Sequence, residues 1–175
     1  MSAAPTRTIG VVAVSFFVLS LLFPLSGSVA ETQRGGTAAS PGQNQENRIM
    51  TKKAIETAAA PAPVGTYSQA IEANGTVYIS GQVGFIPGTM ELAADDARAQ
   101  IHQVFKNLRA IAEAAGGDLD KVVKLTVYLT DIGDFPQVNE VMATYFNEPY
   151  PARAAVGVAS LPKGARVEMD AVLVR

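Results

Sequence analysis

The alternation of apolar and polar residues over 150–174 (YPARAAVGVASLPKGARVEMDAVLV) is the strongest constraint on the fold of this chain. Successive side chains of a strand point to opposite faces, so this pattern predicts two strands, 153–159 and 166–174. Residues 161–164 (LPKG) lie between the two segments and have the composition of a turn. We therefore expect the two strands to pair with each other as a hairpin that closes the chain.

Arg153 and Glu168 stand on these strands, and the alternation places both on the face opposite the apolar packing. Ala155 and Gly157 are small and leave room beside them. A guanidinium can hold a carboxylate through two hydrogen bonds, and a carboxylate can orient and deprotonate a water molecule. The pattern indicates a pocket for a small acidic ligand; solvated charges on an exposed sheet face are the alternative.

The expected hairpin also fixes a separation between these two charged residues. Pairing around residues 162–164 sets Glu168 opposite about residue 158 and Arg153 opposite about residue 173, which puts their backbones on the order of 15 Å apart. A three- or four-carbon acid is too short to bridge that distance. We therefore expect either that Arg153 of one subunit meets groups of a neighbouring subunit, or that a water connects the ligand to Glu168.

The first fifty residues differ in composition from the rest of the chain. An apolar run from Ile9 to Leu25 follows Arg7, and small residues at 28–30 suit a signal peptidase, so we expect residues 1–30 to be a signal peptide. Residues 31–50 are rich in Gly, Gln, Asn and Ser and predict a flexible tether. A periplasmic or secreted protein without stable membrane association after cleavage is expected. An uncleaved membrane anchor, or a cytoplasmic protein translated from Met50, are the alternatives.

Residues 51–175 predict one α+β domain with the order β-β-β-α-β-α-β-β. Strands are expected at 53–57, 76–80 and 122–130, and 83–91 is expected to be an extended segment or hairpin arm. Helices are expected at 92–115, ended by Gly116, and at 135–146, with Asp134 as a candidate N-cap. The helices would cover one face of a single sheet. Because the other face carries charged residues, we expect a homotrimer with pockets between subunits.

Composition limits the chemistry that is available. Fourteen basic and sixteen acidic residues give a net charge of −2, which argues against nucleic acid as a partner. Cysteine is absent, so disulfides and thiol nucleophiles are excluded. His102 is the single histidine, and a His-rich metal site or a Ser-His-Asp triad is hard to assemble from it. We therefore expect no metal site.

Four segments resemble the Rid family, also called the YjgF family, whose members are reactive-intermediate deaminases that hydrolyse 2-imino acids. The segments are PVGTYSQA (63–70), VYISGQV (77–83), VKLTVYLTDIGDFPQVNEV (123–141) and PARAAVGVASLPKGARVEMDAV (151–172). The resemblance covers 51–175 in order. It implies a trimer of chorismate-mutase-like α+β subunits with active sites at the subunit interfaces.

The resemblance also implies roles for individual residues. Arg153 falls on the arginine that binds the substrate carboxylate, Glu168 on the glutamate that orients water, and Tyr67 on a tyrosine of the pocket. The implied substrate-binding residues are Ser80, Gly81, Asn139, Phe135 and Ala155. Many active members carry Ser-Cys where this chain has Ala154-Ala155. That cysteine contributes mainly its backbone N–H, which alanine retains, so the departure bears on pocket size and substrate preference.

Three classes of function follow from the residues and the resemblance together. The first is a cofactor-independent deaminase that converts 2-iminopropanoate and 2-iminobutanoate to 2-keto acids and ammonia. The second is a non-catalytic sensor of small carboxylic acids, which Arg153 alone would support. The third is an endoribonuclease, which the acidic composition and the lack of a basic run disfavour.

Overall fold

The computed structural model describes residues 51–175, so the expected signal peptide and tether lie outside the described residues. In that range the order β-β-β-α-β-α-β-β is confirmed. The elements are β1 Lys52–Ile55, β2 Ala70–Ala73, β3 Thr76–Val83, α1 Ala97–Ala114, β4 Val122–Leu129, α2 Phe135–Met142, β5 Ala152–Gly157 and β6 Val167–Val174. Short 3-10 turns at 119–121, 132–134 and 162–164 precede β4, α2 and β6.

The strands form a single sheet in the order β1-β2-β3-β6-β4-β5. The pairs within it are antiparallel except β4 with β5, which run parallel. A parallel pair requires a crossover, and the segment containing α2 supplies it. The predicted hairpin between the last two strands is therefore wrong: β6 inserts between β3 and β4, and β5 lies beside β4 at the edge of the sheet.

Burial explains why β6 and not β5 occupies the interior of the sheet. The four alternate residues of β6 that face the helices (Val167, Met169, Ala171 and Leu173) are at most 1% exposed. Strand β5 has small residues and is half-buried or exposed along its length. The strand with the larger apolar face buries more apolar surface, and is stabilised more, when it has a neighbouring strand on both sides. The less apolar strand is left at the edge.

Helix α1 covers the core face of the sheet, and its apolar residues follow the predicted spacing. Ile101, Val104, Phe105, Leu108 and Ile111 have no exposed surface. The helix begins at Ala97, five residues later than predicted, because Asp96 is its N-cap and accepts a hydrogen bond from the Ala99 N–H at 2.8 Å. In the described part of the chain, neither helix is both long and apolar enough to span a bilayer.

The beginning of the sheet also differs from the prediction. Strand β2 was not expected, and Asn74-Gly75 forms the turn that joins it to β3, with φ of 52° and 78°. The expected extended segment or hairpin arm at 83–91 adds no strand of its own: Val83 ends β3, and Phe85 makes one isolated antiparallel bridge to Leu92. The short β2 sequence AIEA carries too weak an alternation to signal a strand, whereas its partner β3 is long and strongly apolar.

Helix α2 ends at Met142, four residues before the predicted end. Asp134 occupies the N-cap position, but its backbone is helical and its side chain makes no capping hydrogen bond. Its carboxylate instead accepts hydrogen bonds from Arg166, at 3.0 Å from Nη2 and 3.3 Å from Nε. The predicted N-cap position of Asp134 is confirmed, but its side chain joins α2 to the start of β6 instead of capping the helix.

Candidate functional site

Arg153 and Glu168 lie on opposite faces of the sheet. Arg153 is paired with Leu125 of β4, which is fully buried on the helix-covered face, and residues paired across neighbouring strands share a face. Glu168 is paired with Tyr128, whose hydroxyl donates to Asp170 on the other face. The expectation that both charges share one face is therefore wrong. The alternation of β5 was assigned to the faces in reverse, since Ala155 packs on the core.

The separation of the two residues within one subunit follows from this register. They are three residues apart along β4 and two strand spacings apart across the sheet. At about 3.3 Å per residue and about 4.8 Å per strand, their Cα atoms are about 14 Å apart in the plane of the sheet. With the sheet between them, a small acid cannot contact both side chains of one subunit.

Glu168 opens into a cavity of about 650 Å³ on the face not covered by the helices. The cavity brings together four predicted site residues, namely Tyr67, Ser80, Gly81 and Glu168. Its remaining lining is mostly apolar and consists of Pro61, Ala62, Val64, Gln82, Val83, Phe85, Met90, Pro162 and Lys163. A concave, largely apolar cavity with a few polar groups at one end is the usual form of a small-molecule site.

Gly81 makes room for the carboxylate of Glu168. The register of β3 against β6 shifts between Ile79 and Gln82, so Ser80 and Gly81 form an irregularity in the ladder. A Cβ atom on Gly81 would collide with Oε1 of Glu168 and would lie 3.0 Å from its Cδ. The absence of a side chain at this position therefore sets where the carboxylate lies.

Ser80 and Tyr67 present hydroxyl groups at the same cavity. The Ser80 Oγ donates to the Ser68 carbonyl at 2.7 Å, which leaves the lone pairs of this oxygen to accept a hydrogen bond. The Tyr67 hydroxyl accepts from the Val64 N–H at 3.2 Å, so its own hydrogen can be donated to a ligand. Tyr67 is 50% exposed and stands at the mouth of the cavity.

The surroundings of Glu168 favour its protonated form. Burial raises the pKa of this carboxyl above its ordinary value, and the nearby charge of Asp170 raises it further. A carboxylate with a raised pKa is a stronger base for water than an exposed glutamate. Asp170 was not among the predicted site residues, although its position two residues after Glu168 places it on the same face.

Arg153 lies in a second, shallower region together with the other predicted residues. Its Cζ is 4.9 Å from the centre of the Phe135 ring, and its Nη1 is 3.3 Å from the Met142 sulfur. One depression beside it is lined by Phe135 and Ala155, and another by Asn139 and Tyr150. The predicted residues Arg153, Phe135, Asn139 and Ala155 therefore form one group, and none of them lines the cavity of Glu168.

The guanidinium of Arg153 has no carboxylate partner among residues 51–175. The ion pairs there are Arg98–Glu140, Arg166–Asp134 and Arg175–Glu72. A half-buried guanidinium resting on an aromatic ring keeps its N–H groups available for an anion, and its planar fork matches a carboxylate. The two faces thus carry different groups: a guanidinium without a carboxylate partner among residues 51–175 on one, and a carboxyl group with a raised pKa on the other.

Comparison with known proteins finds relatives over most of the described residues, under several different descriptions. The family model described as Endoribonuclease L-PSP matches residues 57–175. The chain is 44% identical over 126 residues to the 2-iminobutanoate/2-iminopropanoate deaminase of Dermatophagoides farinae, covering 72% of this chain and 98% of that protein.

Two solved structures are similar to the fold. The first is RidA from the Antarctic bacterium Psychrobacter sp. PAMC 21119, with a TM-score of 0.68 and 57% identity, over 70% of this chain and 99% of that one. The second is E. coli TdcF with bound serine, with a TM-score of 0.67 and 40% identity, over 70% and 98%.

Proposed function

This chain belongs to the endoribonuclease L-PSP family, also called the Rid or YjgF family, and we propose that it hydrolyses reactive 2-imino acids to 2-keto acids and ammonia. The observation that carries the proposal is the pair of groups this reaction requires: Arg153 without a carboxylate partner among residues 51–175, and Glu168 with a raised pKa in a cavity. The relative named a 2-imino acid deaminase supports the same chemistry. In this proposal 2-iminopropanoate and 2-iminobutanoate are the substrates, and the reaction requires no cofactor.

The proposed reaction begins with the substrate carboxylate bound to the guanidinium of Arg153. Glu168 accepts a proton from a water molecule as the water oxygen bonds to the carbon of the protonated imine (C=NH2+), and the product is a carbinolamine with a neutral amine. The protonated Glu168 then gives its proton to that nitrogen. The C–N bond breaks and ammonia leaves as the hydroxyl passes its proton to Glu168 and becomes the carbonyl of the 2-keto acid; the released ammonia takes up this proton and restores the carboxylate. Binding at a fixed orientation supplies much of the rate gain.

The separation of Arg153 and Glu168 requires a second copy of the chain in this scheme. Because the two side chains lie on opposite faces of one sheet, about 14 Å apart, we propose a homotrimer in which Arg153 of one subunit reaches the Glu168 cavity of its neighbour. Tyr67, Ser80 and Gly81 would come from the Glu168 subunit, and Phe135, Asn139 and Ala155 from the Arg153 subunit.

A second candidate function is the binding of small amino or keto acids without turnover. The observation that favours it is the similar structure of E. coli TdcF, which holds serine. Both functions use Arg153 as the carboxylate-binding group. They differ at Glu168, which only the deaminase needs as a base.

The test measures imine loss and ammonia release when 2-iminopropanoate is generated in situ from alanine by an amino-acid oxidase. We expect the protein to accelerate hydrolysis well beyond the spontaneous rate. Arg153→Ala should abolish turnover, and Glu168→Gln should lower kcat far more than it raises KM. Arg98→Ala is the matched control, because Arg98 pairs with Glu140 and neither residue lines the cavity or the depressions beside Arg153. Binding of keto acids without any acceleration would instead support the second candidate.

A further inference from the structure

Gln69 is a buried side chain whose amide holds a loop at the cavity wall. It is 2% exposed and immediately precedes β2. Its Oε1 accepts from the Thr57 N–H at 2.7 Å, and its Nε2 lies 3.0, 3.3 and 2.8 Å from the carbonyls of Thr57, Ala60 and Pro61. The two N–H bonds of this amide group are thus shared among three carbonyl oxygens. Four backbone groups of residues 57–61 find their hydrogen-bond partner in this one side chain.

The loop that Gln69 holds forms one wall of the Glu168 cavity. Pro61, Ala62, Val64 and Tyr67 line the cavity on this side, and Phe85 and Met90 line it elsewhere. Val64 and Tyr67 leave 69% and 50% of their surface exposed, so the wall offers apolar area to an occupant. The wall is therefore suited to contact an apolar group of a ligand whose reacting carbon lies near Glu168.

The loop depends on Gln69 because little packs behind it. A second cavity of about 310 Å³ lies on its other side, lined by Glu56, Thr57, Ala58, Ala62, Pro63 and Gln69. Ala60 is its one fully buried apolar residue. A segment with open space on both sides keeps its position through hydrogen bonds rather than through packing. Loss of the Gln69 bonds would therefore change the shape of the wall while leaving the sheet and α1 in place.

We infer that Gln69 is a positioning residue that shapes the apolar wall at 61–67, and that this wall selects 2-imino acids with apolar side chains. The inference rests on the proposed function. A bulky apolar side chain on the substrate would lie against Pro61, Val64 and Met90 while its imine carbon faces Glu168. Each methylene group buried there is worth roughly a fourfold gain in kcat/KM.

The test compares imines generated in situ from alanine, methionine and phenylalanine in the wild type and in Gln69→Glu. Glutamate keeps the acceptor for the Thr57 N–H, but it loses the N–H groups that reach the three carbonyls. We expect the wild type to prefer the larger substrates. In Gln69→Glu the ratio of kcat/KM between the phenylalanine and alanine imines should fall about fifteenfold, as when contact with roughly two methylene groups is lost.

Gln100→Glu is the matched control for this change. Gln100 is also buried, at 1% exposure, and its amide joins the Ala94 carbonyl to the Arg166 N–H; none of these three residues lines the cavity. We expect it to lower stability while leaving the substrate ratio unchanged. The ratio of kcat/KM between two substrates does not depend on the fraction of the protein that is folded and active. A loss of folded protein in Gln69→Glu therefore cannot change this ratio. Equal loss on all three substrates in Gln69→Glu would overturn the inference.

Two further measurements decide the remaining outcomes. Val64→Ala shortens the wall directly; it too should lower the substrate ratio, and an unchanged ratio overturns the inference even if Gln69→Glu does not fold.

Calorimetric binding of pyruvate and phenylpyruvate needs no turnover. If the wild type hydrolyses no imine, the proposed function fails. The inference about the wall is then decided by the ratio of these two dissociation constants: a weaker preference for phenylpyruvate in the variants supports it, and an unchanged preference overturns it.

Discussion

Glu168 has a second carboxylate, Asp170, two residues away on the same face of β6. Burial and this neighbour raise its pKa, and the base in the proposed reaction is the ionised form. Activity should therefore fall as the pH drops through this raised pKa, at a higher pH than for an ordinary glutamate. Asp170→Asn removes the like charge and should move the acid limb of kcat/KM to lower pH.

The measurement for Asp170→Asn is a pH profile of kcat/KM corrected for spontaneous hydrolysis at each pH. Asparagine can still accept the hydrogen bond from Tyr128, so the pair at 2.8 Å keeps its geometry. Asp95→Asn makes the same charge change at an exposed position before α1 and should leave the limb in place. An acid limb that does not move in Asp170→Asn contradicts the role of Glu168 as the base.

Gly81 gives a second prediction at the scale of single residues. Gly81→Ala would force the Glu168 carboxylate out of its position, because the new methyl group occupies the same space. We expect kcat/KM to fall by about a hundredfold, the loss typical of a misplaced catalytic group, with an intact far-ultraviolet circular dichroism spectrum. Gly157→Ala in β5 is the control, since its methyl group would meet nothing closer than 4.0 Å. Full activity in Gly81→Ala would refute the placement of Glu168.

Arg166 connects several elements at the start of β6. Its side chain binds Asp134 before α2, its N–H donates to Gln100 of α1, and its carbonyl accepts from Thr130 after β4. The Asp134 side chain is 11% exposed, whereas the Arg166 side chain is 41% exposed. Asp134→Ala should cost about 1 kcal/mol of unfolding free energy, because the remaining guanidinium can be solvated.

Denaturant unfolding measures the effect of Asp134→Ala. The exposed Asp95→Ala is the comparison, and it should change the free energy of unfolding by less than about 0.5 kcal/mol. Equal stability of the two variants would show that the contact between Asp134 and Arg166 does not stabilise the fold.

The buried face of a helix could be predicted from the sequence, because the spacing of its apolar residues shows which of them meet the core. Every one of Ile101, Val104, Phe105, Leu108 and Ile111 was expected on the inner face of α1, and all are buried. Strand pairing could not be predicted in this way. Alternation in β5 and β6 is a local property, and it does not contain the information that β6 has β3 and β4 as neighbours.

The candidate site shows the same limit. Glu168 and its cavity residues Ser80 and Gly81 were predicted from the sequence and lie together. The face of Arg153 was mistaken, because β5 has only small side chains around the arginine and its orientation is set by parallel register with Leu125 of β4. Gln69 was missed, since a glutamine next to a strand carries no signal for burial. The catalytic roles themselves stay predictions.

At the scale of the whole molecule, the division of the site between two faces makes a prediction about mixtures. Arg153→Ala and Glu168→Gln should each be inactive alone. A mixture that exchanges subunits should regain activity, because some interfaces would combine an intact Arg153 with an intact Glu168. Light scattering should give about three subunit masses. With subunit exchange verified by mass spectrometry, a mixture without activity would place both residues in one subunit's site.

The N-terminal segment is a separate proposal about the mature protein. The apolar run and the small residues at 28–30 lead us to propose export, with a mature chain that begins at Glu31. N-terminal sequencing of the protein from its native source checks this. A chain that begins at Met50 and is recovered from the cytosol would contradict it.

The position of β6 has a consequence for how this protein is made. The last strand of the chain lies between β3 and β4, and Arg175 still contacts the turn at Gly75. During translation, the first three strands and the β4–β5 pair emerge from the ribosome with no strand to join them. Their inner edges stay unpaired until residues 167–174 leave the exit tunnel. The sheet can therefore be completed only once β6 has been made, and a premature stop codon before Val167 would leave two half-sheets rather than a slightly smaller sheet.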